Sequence, residues 1–285
     1  MRRLGDLEIS ALGMGSMTIT QVPDFDVERG IRTVQTALDA GITLFDTADS
    51  YGPTSELGVN ERALVRALGS RPGALERVVI ATKGGHTRGP NASWWIDGSP
   101  EYLARAARAS LGRLGLDSIP LYQHHRPDVR VPFAESMGAL RGLVDDGIVQ
   151  RVGVSNVDTA QLGVAIAVLG DALVSVQNEY SPVERSSLPV LRMCEAHGIA
   201  FLAWGPLGGM RAAKGLGEAA GAFADVARAR GVSPQRVALA WMLQSSPNVI
   251  PIPGASRPES VLDSVAATTL ELDADELARL EGSAQ

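Results

Sequence analysis

ITLFDTADSYG at residues 42–52 decides the fold: an apolar run ends on a carboxylate, Asp46, and passes into a loop that carries Tyr51. The same plan returns at VVIATKGG (78–85), closing on Lys83, and at IPLYQHHRPD (119–128), closing on His125. Short runs that are apolar throughout, each followed by a loop and an amphipathic helix, belong in a parallel sheet covered by helices. Working outward, strand candidates fall at 11–17, 42–48, 78–83, 119–125, 149–155, 174–180, 199–205 and 248–254. Eight such units without a long insertion predict closure into an α/β (β/α)8 barrel of the TIM type, a fold that commonly occupies about 250 residues as one domain. One domain over residues 1–285 is therefore expected.

Helical spacing supports the alternation. Leu103, Ala106, Ala107, Leu111 and Leu114 recur on one helix face, as do Phe133, Met137, Leu140 and Val144. Ser99-Pro100 and Ser233-Pro234 each set a capping hydroxyl before a proline suited to the first helical turn. RRLGDLEIS before the first strand predicts a short hairpin at the barrel bottom, and Asp273 with Glu276 opens an extra C-terminal helix by a near capping box. An open doubly wound sheet is the rival, but Gly13-Met14-Gly15 lacks the third glycine of a dinucleotide-binding turn.

Composition narrows the function. The net charge of −6 has its arginines scattered among acidic residues rather than gathered in a stripe, which argues against a nucleic acid partner. No run approaches the ~20 apolar residues of a membrane span. Asp6 and Glu8 interrupt the start before a signal peptide could develop, and Cys194 as the sole cysteine excludes an internal disulfide. A soluble cytoplasmic protein acting on a small molecule is expected, with no metal site and with the oligomeric state open. One connection exceeds the usual two to six residues: GGHTRGPNASWWIDG after Lys83, with Trp94 and Trp95 adjacent, is a candidate substrate wall or lid. The plainer reading is that one of the two rings only anchors the loop.

Singly, Asp46, Tyr51, Lys83 and His125 each have an ordinary structural explanation. Jointly they face one sector of one barrel mouth, because strands two, three and four are neighbours. A lysine held charged by Asp46 would favour the phenolate of Tyr51 and lower its pKa, and His125 could donate to a substrate oxygen. Such a set suits proton delivery to an oxygen becoming an alkoxide, and the hydride must then come from a nicotinamide or a flavin. Lys83 as a Schiff-base nucleophile is the alternative, but it must be neutral to attack.

These residues, together with RRLG-LEIS-ALGMGSM, DTADSYG, ATKGG, GIVQRVGVSN, VQNEYSPVER, AWGPLGG and IPIPGAS, make the chain resemble the aldo-keto reductases over nearly its whole length. The resemblance implies that Asp46, Tyr51, Lys83 and His125 are the catalytic tetrad, with Tyr51 as general acid, in an NADPH-dependent reduction of aldehydes or ketones. It implies that Ser155, Asn156 and Gln177 hold the nicotinamide carboxamide and that Trp204 stacks on its ring. Gly205, Pro206, Leu207 and Gly209 would lie along the pyrophosphate, and Gly254, Ser256 and Arg257 would meet the 2′-phosphate. Asp263-Ser264 and Ser260 depart from the family's adenosine grip, which leaves NADH as a second coenzyme. Met17, Ile19, Tyr51, Trp94, Trp95 and His124 would surround the carbonyl compound, His124 standing where an apolar residue is usual. Reduction of pyridoxal, or service as a cofactor-binding regulatory subunit, are the alternatives within the family.

Overall fold

The computed structural model describes residues 1–21, 25–209 and 213–283. Strands β1 (Arg2–Leu4) and β2 (Leu7–Ile9) pair antiparallel around a turn at Gly5, whose φ of 61° suits glycine. A Cβ there would also fall 2.6 Å from Val174 Cγ1, so the turn presses against the barrel floor. Leu4 and Ile9 are fully buried and join Leu44, Leu121, Leu202 and Ile250 in the cluster that fills the barrel interior. The expected hairpin thus closes the bottom of the barrel.

The barrel strands follow in chain order: β3 (Met14–Gly15), β4 (Leu44–Asp46) and β5 (Val79–Gly84) come first. A two-stranded excursion, β6 (His86–Arg88) and β7 (Trp94–Ile96), interrupts them. β8 (Leu121–His124), β9 (Val152–Ser155), β10 (Leu173–Glu179), β11 (Ala200–Trp204) and β12 (Val249–Pro251) complete the set. Each barrel strand pairs in parallel with its neighbour. First and last meet through Gly13 N donating to Pro251 O at 2.9 Å, Gly15 N to Pro253 O at 3.0 Å, and a parallel bridge between Gly15 and Gly254. A Cβ on Gly15 would stand 2.9 Å from Ile252 O. The Gly13-Met14-Gly15 segment therefore serves barrel closure, where only a missing side chain lets the two strands approach.

Helices α1 (Val27–Asp39), α2 (Val59–Gly69), α3 (Pro100–Leu114), α4 (Phe133–Asp145), α5 (Thr159–Leu169) and α6 (Leu188–His197) alternate with the strands. After β11 come α7 (Leu216–Ala219), α8 (Gly221–Arg230) and α9 (Pro234–Ser245), then α10 (Pro258–Ala266) and α11 (Ala274–Gly282) after β12. Leu103, Ala107, Leu114, Met137 and Leu140 are buried against the sheet as their spacing predicts. Each fully buried leucine contributes about 1.5–3 kcal/mol. Ser99 accepts from Tyr102 N and Ser233 from Arg236 N, and Asp273 with Glu276 forms a complete capping box. No helix among the described residues is long and apolar enough to cross a membrane.

The long connection after Lys83, expected as a substrate wall or lid, folds into the β6–β7 hairpin, turned through Asn91 and Ala92 at φ 55° and 57°. Arg88 on β6 donates to Gly52 O at 2.7 Å and to Thr54 O at 3.3 Å, tying the hairpin to the loop that carries Tyr51. Ser55 Oγ reinforces the tie by donating to Gly89 O and accepting from Ala92 N.

Candidate active site

Lys83 lies at the C-terminal end of β5 with no exposed surface, and its three ammonium protons meet three acceptors. It donates to Asp46 Oδ2 at 2.7 Å, to Thr47 O at 2.8 Å and to the Tyr51 hydroxyl at 3.3 Å. Burial alone would strip the proton, but Asp46 outweighs it and Lys83 titrates above its usual range. A lysine held this firmly charged is unsuited to Schiff-base attack.

The second oxygen of Asp46 is also engaged, accepting from Gln177 Nε2 at 2.8 Å and Gln123 Nε2 at 3.2 Å. Gln177 is therefore turned into the barrel toward Asp46 by its amide nitrogen, and only its carbonyl oxygen remains for a ligand. Gln123 had not been foreseen; its signal is a lone amide within β8, between Tyr122 and His124. Gly153 makes room for it, since a Cβ there would sit 2.9 Å from Gln123 Cγ and 2.3 Å from Ser175 Oγ.

Tyr51 is buried, and its hydroxyl titrates above the ordinary phenol range. Burial is the largest influence and Lys83 offsets it only in part, so the expected net lowering by Lys83 is corrected: the proton stays on Tyr51 through the neutral range. The loop is held on several sides. Asn60, also unforeseen, accepts from Ser16 Oγ at 2.6 Å and Thr47 Oγ1 at 2.7 Å and donates to Ser16 O at 2.9 Å and Thr20 Oγ1 at 2.6 Å. This buried, fully satisfied amide locks the segments after β3 and β4 to α2.

His125 stands edge-on to Tyr51, ring centroids 5.7 Å apart at 83°. Burial, then the Lys83 charge, holds its pKa well below the usual histidine range, so it is a neutral imidazole. Nδ1 is buried without a partner, which leaves Nε2 as the nitrogen able to meet a substrate oxygen. His86 on β6 extends the aromatic wall: it meets His125 edge-to-face at 5.1 Å and stacks on Trp94 at 4.6 Å and 26°. His86 was not among the expected site residues, and neutral it fits there, its pKa pushed down to about 4 by burial and by Arg126 and Arg88.

Alternation along β7 separates the two tryptophans. Trp94, 44 % exposed, joins His86 at the mouth under the Arg88 guanidinium at 4.0 Å. Trp95, 55 % exposed, lies on the other face of the hairpin with Arg130 over its ring at 4.9 Å, outside the wall to which it had been assigned. His124 does not line the mouth either. It is fully buried, packs edge-on against Phe133 of α4 at 5.6 Å, and leaves both ring nitrogens unpartnered. The pleat turns it outward into the strand–helix layer when His125 turns inward. Met17 is half-buried in the turn after β3, at the same rim as Asp46.

The opposite half of the mouth carries the expected coenzyme positions. Ser155 ends β9 and donates to Gln177 O at 2.6 Å. Asn156, in the left-handed region at φ 59°, donates to His125 O and Ser155 Oγ, both at 2.9 Å, which leaves its amide oxygen as an acceptor. Trp204 ends β11 half-buried with its Nε1 unpartnered. Gly205 and Gly209 take φ of 61° and 82°, which suit glycine, around buried Pro206 and half-buried Leu207, and Gly208 N donates to Gly205 O at 2.8 Å. Gly254, Ser256 and Arg257 are exposed before α10, whose first turn has no side-chain cap. Asp263 is already engaged by Arg236 at 2.7 Å and by Ser233, so it is withdrawn from any adenosine contact. An open groove of about 610 Å³ beside Asp6, Arg151 and His197 lies at the other end of the barrel and holds none of these groups.

Residues 11–285 match the Aldo/keto reductase family. The chain belongs to that family. An uncharacterized oxidoreductase of Schizosaccharomyces pombe is 34 % identical over 285 residues, spanning 98 % of this chain and 88 % of its own length. Pyridoxine 4-dehydrogenase of Escherichia coli is 31 % identical over 294 residues, spanning 98 % and 96 %. Among solved structures, an aldo/keto reductase from Klebsiella pneumoniae in complex with NADP and acetate superposes with a TM-score of 0.83 at 27 % identity, covering 99 % of this chain and 94 % of that one.

One titratable group of this aldo/keto reductase barrel lies beside Lys83 and Tyr51 without its carboxyl bonding to either: Asp49, whose backbone N donates to Lys83 O at 3.2 Å. Asp49 is buried, neither carboxyl oxygen has a partner among the described residues, and burial followed by Glu61 raises its pKa from 3.8 to about 8. Glu61 is itself compensated, accepting from Arg113 Nε at 2.5 Å and Thr82 Oγ1 at 2.6 Å. Because the folded state retains the Asp49 proton longer than the unfolded chain, stability falls as pH rises from about 4 to about 8 and the full penalty persists above that. Asp49→Asn is therefore expected to be more stable than the native chain at pH 9, by on the order of 3–5 kcal/mol. The two should converge below pH 4. Urea denaturation across this range measures it; parallel curves for the two proteins would show that Asp49 is not the group responsible.

Proposed function

We propose that the chain reduces an aldehyde or ketone to the corresponding alcohol with NADPH, and that Tyr51 supplies the proton. The observation that carries this reading is the single path from Asp46 through the Lys83 ammonium to the Tyr51 hydroxyl, with the neutral His125 ring edge-on to the same phenol. Lys83 stabilises the phenolate that forms as the proton leaves, so its contribution is greatest in the transition state, where catalysis requires it. His125 Nε2 can orient the carbonyl oxygen. NADPH, when bound, supplies the hydride. The acceptor oxygens of Asn156 and Gln177 suit the carboxamide, and the half-buried Trp204 ring offers a flat surface for the nicotinamide. Ser256 and Arg257 suit the 2′-phosphate. The Klebsiella pneumoniae relative, solved with NADP, supports the coenzyme. A narrower reading, interconversion of pyridoxal and pyridoxine, is favoured by the likeness to Escherichia coli pyridoxine 4-dehydrogenase.

NADPH oxidation followed with pyridoxal, nitrobenzaldehyde, a quinone and a keto sugar tests both. Turnover of pyridoxal well above the others selects the narrower reading, and tight coenzyme binding with no turnover on any of them would instead make the protein a regulatory subunit. In the same assays Arg257→Ala is expected to weaken NADPH by about 10–100-fold, the value of a charge-assisted hydrogen bond, while leaving NADH nearly untouched. Equal losses with the two coenzymes would remove Arg257 from the phosphate.

A further inference from the structure

His86, Arg88, Trp94 and Ile96 share one face of the β6–β7 hairpin, since Arg88 pairs with Trp94 and His86 with Ile96 across it. On that face the Arg88 guanidinium covers the Trp94 ring at 4.0 Å and His86 stacks on it at 4.6 Å, so Trp94 is engaged by its own hairpin. Both ends of this stack meet the groups that deliver the proton. Arg88 donates at 2.7 Å to the carbonyl of Gly52, the residue after Tyr51, and at 3.3 Å to Thr54 O. His86 meets the His125 ring edge-to-face at 5.1 Å, and His125 stands edge-on to Tyr51 at 5.7 Å. The contacts close a circuit from Tyr51 through Gly52, Arg88, Trp94, His86 and His125 back to Tyr51.

The hairpin is fixed at root and tip. At the root Asp97 N donates to Gly85 O at 3.0 Å, Gly98 N to Asp128 Oδ2 at 3.1 Å and Ser136 Oγ to Gly98 O at 2.6 Å. At the tip Ser55 Oγ donates to Gly89 O and accepts from Ala92 N, both at 2.9 Å. A lid would have to break such ties to open, whereas a strut depends on them. The Tyr51 loop needs the support: it is exposed from Pro53 to Glu56, and Lys83 reaches the phenol only at 3.3 Å.

Resting on the reading of the site as a carbonyl reductase, we propose that Arg88 and Trp94 are positioning residues, the Arg88–Trp94–His86 stack acting as a strut that sets the Tyr51 hydroxyl against the His125 ring. Neither acts by touching the substrate. Proton transfer requires donor and acceptor within about 2.6–3.2 Å, and a displacement of about 1 Å can cost 10²-fold in rate. Without the guanidinium, Gly52 O and Thr54 O lose their donor and the loop carries Tyr51 out of register. The loss then falls on turnover rather than on binding.

The test compares Arg88→Met and Trp94→Leu with the native protein, on the best carbonyl compound of the panel above. In both variants kcat per coenzyme-binding site should fall by about 10–100-fold, with KM and coenzyme affinity within about twofold of native. In a Tyr51→Phe background Arg88→Met should cost less than about twofold, because the residual rate draws no proton from residue 51. Hydrogen exchange gives a readout free of turnover. The amides of Tyr51, Gly52 and Gly58 are bonded to Ala48 O, Gln21 Oε1 and Asp49 O, and in Arg88→Met they should exchange at least about tenfold faster while α3 is unchanged. Native kcat in Arg88→Met, an equal loss in the Tyr51→Phe background, or unchanged exchange overturns the proposal. A rise in KM alone in Trp94→Leu also overturns it, returning Trp94 to the substrate wall. Should Arg88→Met not fold, Arg88→Lys, which keeps one donor but not the planar fork, takes its place with a loss of at least about threefold expected under the same criteria. If the native protein reduces no carbonyl compound, the reductase reading fails separately and hydrogen exchange alone decides the strut.

Discussion

Tyr51→Phe is expected to lower kcat/KM for carbonyl reduction by about 10²–10⁴, the usual contribution of a positioned general acid, and to leave coenzyme affinity unchanged. The phenyl ring keeps the edge contact with His125 and the packing of the loop, since Arg88, Asn60 and Gln21 hold that loop through the backbone or through neighbouring residues. Only the proton and the oxygen facing Lys83 are removed. Because the buried phenol titrates above its ordinary range, the native acid is fully protonated at neutral pH, and the loss should be as large at pH 6 as at pH 8. Steady-state kinetics at both values, with coenzyme binding followed by fluorescence, measure it. A variant that retains more than a tenth of the native rate would assign the proton to another donor.

The second large effect concerns stability. Lys83→Met leaves the Asp46 carboxylate buried without its cation, and removing one partner of a buried pair typically costs about 3–5 kcal/mol. That is a large share of the 5–15 kcal/mol that holds a typical domain together. Gln123 and Gln177 still donate to Asp46 Oδ1, so the carboxylate is not wholly abandoned, which places the loss toward the lower end. Asp46→Asn in the Lys83→Met background should recover much of the stability, because the unpaired charge disappears, and should restore no activity, because nothing then stabilises the phenolate. Urea unfolding of the four proteins in the cycle separates the two effects. Additive losses, with no recovery in the double variant, would show that the ion pair is not the source of the penalty.

Much of this was legible in the chain because it depends on near neighbours. Eight apolar runs alternating with helical spacing specify a parallel sheet under helices, and each of the eight predicted strands overlaps an observed one, six enclosing it and two missing it by one residue at one end. The caps at Ser99, Ser233 and Asp273 act over three residues and appear where they were read. Asp46, Lys83 and His125 stand at strand ends by simple position, and a barrel brings neighbouring strand ends together.

What sequence alone could not decide involves partners far apart in the chain or a competition between burial and charge. Gln123 and Gln177 reach Asp46 across 77 and 131 residues, contacts that exist only once the sheet has closed. Gly15 reads as a broken dinucleotide motif until Ile252 O lies where its Cβ would be. The hairpin after Lys83 sends Trp94 to the mouth and Trp95 to its outer face, and it brings in His86. The pleat of β8 sends His124 into the helix layer. The direction of the Tyr51 pKa follows from how deeply the phenol is buried, since a cation 3.3 Å away does not overcome that loss of hydration. Local pattern placed Asp46, Lys83 and His125 at strand ends; the closed barrel and its hairpin decided which other residues join them at the mouth, which face one another, and how far from water.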